Sequence, residues 1–233
     1  MFSVLIVVAH PDDEALGCGG MAAKLAARGV CVRTCILSGS VTARQHRPTD
    51  PDLSHDTALA HRLLNLEPPI LGDFPNISFN TIPHLELVQF IEAAMLEVRA
   101  NVVFTHHPAD LNNDHLHTSQ ACQAAARLFQ RRADCPPLQA LYFMEILSAT
   151  DWAFPSGMSG FRADTFFEIG EEWLMRKLAA LRAYRGVMRD FPHPRSEEIV
   201  RSLAAYRGGQ AGLRYAEAFQ TAFRAMTEFE PQH

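Results

Sequence analysis

The chain has 233 residues, 48 % hydrophobic and 20 % charged, a composition that excludes a disordered or fibrous protein. Its 21 Lys and Arg against 26 Asp and Glu leave a formal charge of -5, without the basic excess of a protein that lives on nucleic acid or an anionic membrane. Against only 5 Cys, its 11 His are the compositional oddity, because imidazole is both proton carrier and metal ligand near neutral pH.

The apolar run 2–9 reads as a first strand, and 14–28 as a helix stopped by Gly29. Residues 31–37 form a second strand, followed by a polar loop, a helix over about 55–66 and a short strand at Ile70-Leu71. An irregular segment, 72–83, leads to Pro83, which opens a helix over 84–100. Residues 101–105 form another buried strand, then a loop and a helix from about 114 to 132. Strands are expected within 138–147 and 163–170. From Glu171 onward the pattern predicts three mostly helical segments, broken at 190–196 and 207–212. Continuous apolar strands alternating with amphipathic helices imply a mainly parallel sheet covered on both faces, in one domain spanning 1–233. Ligands of such folds sit beyond the C-terminal ends of the strands, which directs attention to the loops opening at His10, Ser38 and His106.

The cysteines Cys18, Cys31, Cys35, Cys122 and Cys135 are odd in number and scattered, which fits a reduced, cytoplasmic protein. The apolar start lacks a basic region and runs directly into charged residues, so it reads as a strand rather than a signal peptide. No segment is long and apolar enough for membrane insertion.

Chemistry is concentrated in two places. AHPDDE, residues 9–14, packs one His, two Asp and one Glu into a turn, where repulsion and desolvation demand a counter-charge such as a divalent metal. His10 and Asp13, three residues apart, can aim at one point while Asp12 stays free for proton transfer; the plainer alternative is a helix N-cap. HHPADLNNDHLHT, residues 106–118, adds His106, His107, Asp110, Asp114, His115 and His117 after a second buried strand. His115 and His117 face different ways on a helix, so at most one joins a given metal, and Asp114 is an N-cap or a partner to a ligand. Together the two segments supply two His and a carboxylate with room for water, the composition of a catalytic zinc site.

With these segments the sequence resembles the PIG-L/LmbE-like zinc-dependent N-acetyl-sugar deacetylases over nearly its whole length. The pairing of AHPDDE with a later DH-containing loop carries the resemblance, with Phe143–Trp152, His193–Ser196 and Tyr215–Phe219 similar to one bacterial branch. The resemblance implies a three-layer Rossmann-like fold and a metal held by His10, Asp13 and His115, with Asp12 as general base. Zn2+ is the implied metal, and Fe2+, Co2+ or Mn2+ also suit such a ligand set. It further implies removal of the acetyl group from an N-acetylglucosamine-type conjugate, a small-molecule substrate, and leaves homo-oligomerisation open. Many family members carry a His three residues before the last ligand, where this chain has Asn112. The oxyanion role then falls to the metal with Asn112, or to His193 or His107. Arg44 and Arg195 are candidate substrate contacts.

Two other readings compete. A non-catalytic metal- and sugar-binding protein would use the same scaffold. A dinucleotide site at Gly17-Cys18-Gly19-Gly20-Met21-Ala22 fails on context, since HPDDEAL separates the glycines from the strand; close packing of the first helix explains them better. Trp173, Leu174, Lys177, Leu178 and Leu181 read as a core stripe, and Arg127–Arg132 as a solvated helix end. His46, His55, His61, His84 and His233 are expected at the surface.

Overall fold

The structure, a computed structural model, describes residues 2–39, 53–154 and 160–226. Its centre is β1 (Ser3–Val8), with β2 (Cys31–Ile36) parallel on one side and β4 (Val102–His106) parallel on the other. Short β3 (Ile70–Leu71) extends the sheet beyond β2, and β5 (Ala140–Met144) beyond β4. β7 (Ala216–Arg224) then runs antiparallel between β5 and β6 (Thr165–Glu168), giving the order β3-β2-β1-β4-β5-β7-β6.

Both faces of the sheet are covered, which is why β1 is apolar at every position after Ser3. Val4, Ile6 and Val8 enter a core shared with α1 (Asp13–Ala27), α2 (Ser54–Leu64), α5 (Gly170–Ala183) and α6 (Glu197–Gln210). Leu5, Val7 and Ala9 enter the opposite core, built on α3 (His84–Val98) and α4 (Asn113–Ala125). The period-two alternation of a strand thus feeds two hydrophobic clusters rather than one core and one wet face. Gly29, at φ 80°, ends α1 as expected.

Helix α1 is broken at Cys18, where φ is -148°. The Leu16 carbonyl and the Gly20 and Met21 amides lie at the break. A buried ion pair takes them up: Lys177 Nζ donates to Leu16 O at 2.7 Å, and Glu217 accepts from Gly20 N at 3.0 Å and Met21 N at 2.6 Å. Lys177 and Glu217 lie 2.7 Å apart, so the pair stands where a helical hydrogen bond would. The α1 glycines serve packing, as expected: a Cβ on Gly17 would meet Ile146 and Met144 at 2.9 Å, and one on Gly20 would meet Ile169 at 3.0 Å.

Three expectations for the helices are corrected. The last segment, predicted helical, is strand β7; Ala and Glu favour helix locally, but ladder pairing with both β5 and β6 outweighs that preference. The predicted break at 207–212 starts too early, because α6 continues through Gly208 to Gln210. Gly208 is needed there, since a Cβ would lie 2.6 Å from Leu213 O. Helix α4 ends at Ala125 rather than near 132, and the chain continues into a 3-10 turn at Leu128–Gln130. Among the described residues, no helix is long and apolar enough to cross a membrane.

Candidate active site

Between β1 and β4 the strand order reverses, and this is where a doubly wound sheet opens a crevice at its C-terminal edge. His10 to Glu14 leave β1 on one side of the crevice; His106 to His115 leave β4 on the other. Histidine and backbone nitrogens converge there on the Asp13 and Asp114 carboxylates. Asp13 Oδ2 lies 3.0 Å from His10 N, 3.2 Å from His115 Nε2, 3.4 Å from His10 Nδ1 and 3.6 Å from His106 Nε2. His10 Nε2 bonds Asp114 Oδ2 at 2.9 Å. All these side chains are buried.

The donors fit a divalent cation at His10, Asp13 and His115, one of two groupings among the described residues in which ligand atoms come within 4.8 Å of one another. His10 has Nδ1 on the Asp13 side while Nε2 is held by Asp114. His115 has Nε2 on the Asp13 side while Nδ1 lies 3.1 Å from Asp110 Oδ2. Each imidazole therefore offers one nitrogen inward and has a carboxylate behind the other, the arrangement that orients metal-binding histidines. The second grouping, His106, Asp110 and His115, fits less well. His106 Nε2 accepts the Ala9 amide at 2.9 Å, which places the ring proton on Nδ1, a buried atom without a hydrogen-bond partner among the described residues. Both ring nitrogens are then unsuited to a metal. His106 instead stacks on His115, with ring centroids 3.8 Å apart, and fixes that ring's plane.

Electrostatics follow this crowding. Burial opposes ionisation of Asp13, yet His115 and His10 hold its carboxyl well below the usual range. Burial would lower His115, but Asp13 and Asp110 push it up to about 10. His106, desolvated and beside His115, is pushed down to about 3 and is neutral. Clustered anions that hold a proton on a buried imidazole are a setting in which a metal cation displaces that proton.

Asp12 sits at the helix entry with φ 100°, a left-handed conformation unusual for a residue with a Cβ. Its amide donates to Glu14 Oε2 at 3.1 Å, and Glu14 Oε1 accepts the Tyr184 hydroxyl at 2.6 Å. Burial, with Asp12 and Asp13 close by, pushes Glu14 up to about 8 against that hydrogen bond. Asp12 Oδ2 faces Arg195 Nη1 at 3.4 Å. Arg195 in turn donates from Nε to Ser148 Oγ at 2.7 Å, and its amide donates to His193 Nδ1 at 3.0 Å. The 190–196 segment is thereby tied to the candidate base, with the His193 ring 5.5 Å from Trp152.

The structure brings together Asp12, Asp13, His10, His115, Arg195 and the His193 loop. Asn112 is placed differently from the expectation. It is the N-cap of α4, its side-chain oxygen accepting the Asp114 amide at 2.9 Å, while Asp114 serves His10. His107 is removed from the oxyanion candidates: its Nδ1 accepts the Ala109 amide, it bonds Gln220, and its ring stands edge-on to Phe143 and Phe161. Arg44, His46 and His233 lie outside the described residues. His61, expected at the surface, is buried beside Glu14, 3.8 Å from Oε1. Burial pushes it down to about 4, so it packs as a neutral ring. Reading by sequence alone missed the Glu14–Tyr184 contact; the signal available was the Glu that closes AHPDDE.

A Rossmann-like sheet with a buried His-Asp-His grouping at its switch point defines the class: an α/β protein with a site suited to a hydrolytic metal. The PIG-L family model, described as GlcNAc-PI de-N-acetylase, matches residues 5–126, just over half of the chain and both halves of the site. The chain belongs to this family of deacetylases. Escherichia coli (strain K12) YaiS, described as an uncharacterized deacetylase, is 27% identical over 190 residues, covering 78% of this chain and 90% of that one. The conserved protein TT1542 of Thermus thermophilus superposes with a TM-score of 0.78 at 25% identity, with 100% of both chains covered. GalB, the 4-carboxy-2-hydroxymuconate hydratase of Pseudomonas putida KT2440, shares the fold at TM-score 0.78 and 21% identity, over 99% of this chain and 100% of that one. So does the N,N'-diacetylchitobiose deacetylase of Pyrococcus horikoshii, at TM-score 0.70 and 20% identity, over 94% and 83%.

Proposed function

We propose that the chain is a metal-dependent N-deacetylase that releases acetate from an N-acetylglucosamine-type amino sugar conjugate. The observation that carries this reading is the convergence of His10, Asp13 and His115 on one point, with Asp12, next to Asp13 in the chain, outside the ligand set and its carboxylate against Arg195. Family membership supports amide hydrolysis, and a deacetylase acting on a diacetylated chitobiose shares the fold. Zinc suits two imidazoles and a carboxylate, and when bound there it would polarise the amide carbonyl and lower the pKa of water toward about 7.

The remaining steps belong to the chain. Asp12 accepts the proton of the attacking water and returns it to the leaving amine. Arg195 fixes the Asp12 carboxylate through its 3.4 Å contact, and Glu14 fixes the backbone beneath it. The oxyanion donor is His193. Because its Nδ1 accepts the Arg195 amide, its ring proton resides on Nε2; burial, with Arg195 and Arg189, lowers its pKa, so it donates as a neutral ring. A well-placed donor of this kind is worth roughly 3–4 kcal/mol in the transition state. Arg44 is assigned to the substrate. The chain's place is the cytoplasm, acting on a small-molecule N-acetylated sugar.

The test is metal analysis with acetate release from a panel of N-acetylated sugars. Stripping the protein with a chelator is expected to abolish acetate release, and zinc to restore it. Stoichiometric zinc without acetate from any member of the panel would overturn the catalytic reading in favour of a metal- and sugar-binding protein.

A further inference from the structure

The turn after β5, residues 146–151, touches both halves of the site without belonging to either. Thr150 Oγ accepts the Ile146 amide at 2.8 Å, and the Thr150 amide returns to Ile146 O at 2.8 Å. A threonine hydroxyl has a single hydrogen. With a lone pair committed to the Ile146 amide, that hydrogen goes to Asp110 Oδ2, 2.8 Å away. Asp110 is held at its other oxygen by the Asn112 amide at 2.9 Å, so neither end of the carboxylate can swing. The same Oδ2 lies 3.1 Å from His115 Nδ1, an ion-pair contact. Two residues earlier in the turn, Ser148, at φ 67°, receives Arg195 Nε and so serves the Asp12 side.

We propose that Thr150 is a positioning residue for the metal ligand His115, acting through Asp110, and that the turn sets the ligand side and the base side of the site by separate hydroxyls. The inference rests on the metal site proposed above. Thr150 touches neither metal nor substrate; its effect is to hold Asp110 where the carboxylate fixes the orientation of His115 and raises the ring's basicity as a ligand. Losing an orienting partner of a ligand weakens metal affinity by about 10–100-fold.

Zinc affinity of the full chain, measured by competition with a chromophoric zinc chelator, tests this without a substrate. Thr150→Val is expected to weaken zinc binding about tenfold, with a shifted visible absorption spectrum in the cobalt-loaded protein. Thr150→Ser, which keeps the hydroxyl, should restore both. Ser148→Ala, in the same turn, should leave zinc affinity unchanged. Should Thr150→Val fail to fold, Thr150→Ala takes its place. Wild-type affinity and spectrum in Thr150→Val, no rescue by Thr150→Ser, or an equal loss in Ser148→Ala would each overturn the inference while leaving the metal site standing. A wild-type chain without zinc affinity would overturn the site and this inference together.

Discussion

Asp12→Asn is expected to lower acetate release by about 10²–10⁴-fold while the protein keeps its zinc. Asparagine is the informative replacement. At φ 100° it is tolerated far better than alanine, so the backbone cost of the substitution is small. It also preserves an oxygen for Arg195 and the volume of a buried side chain. What it lacks is a carboxylate able to take and return a proton. Asp12→Ala removes the same function with added strain at a left-handed position, and should show an equal or larger loss in rate. Metal content measured alongside activity separates this from loss of a ligand: Asp13→Ala should lose zinc and rate together. Near wild-type turnover in zinc-loaded Asp12→Asn would make another group the base.

The largest effect on stability is expected from Glu217→Ala. The substitution strands three partners at once: the Lys177 ammonium, and the Gly20 and Met21 amides at the break in α1. Removing one member of a buried ion pair costs about 3–5 kcal/mol, because the remaining charge is left uncompensated. Against a total stability of roughly 5–15 kcal/mol, that is enough to shift the urea midpoint substantially. Lys177→Met combined with Glu217→Gln removes both charges and keeps an acceptor for the amides, so the double variant should lie closer to wild type than Glu217→Ala alone. A loss under about 1 kcal/mol in Glu217→Ala would mean that water or a neighbouring group takes over the amides.

The parts of the site that were legible in the sequence are those written contiguously. AHPDDE and the DH of the later loop each follow a buried strand, and β1 and β4 are neighbours at the switch point, so His10, Asp13 and His115 meet. Of what orients them, Asp114 was legible as a partner to a ligand, and the rest was not. Asp110 and Thr150 are forty positions apart and joined by one hydroxyl; Glu14 and Tyr184 are farther still. Nothing in spacing marks a carboxylate as standing behind a histidine rather than facing a metal. His61 and His106 were hidden for the same reason, since a neutral buried imidazole leaves no local trace. In the fold, β1, β2, β4 and β5 were visible because their apolar runs are largely buried between two helical layers. β7 was not, because its Ala and Glu content favours helix until β5 and β6 are present to pair with it.

The break in α1 also links positions that never align in sequence. In a relative whose first helix runs unbroken, the Leu16 carbonyl and the Gly20 amide would satisfy each other, and two buried charges would have nothing to cap. The lysine and the glutamate should then vanish together, inherited as one character with the shape of the helix. Single loss of either is the combination that selection would remove.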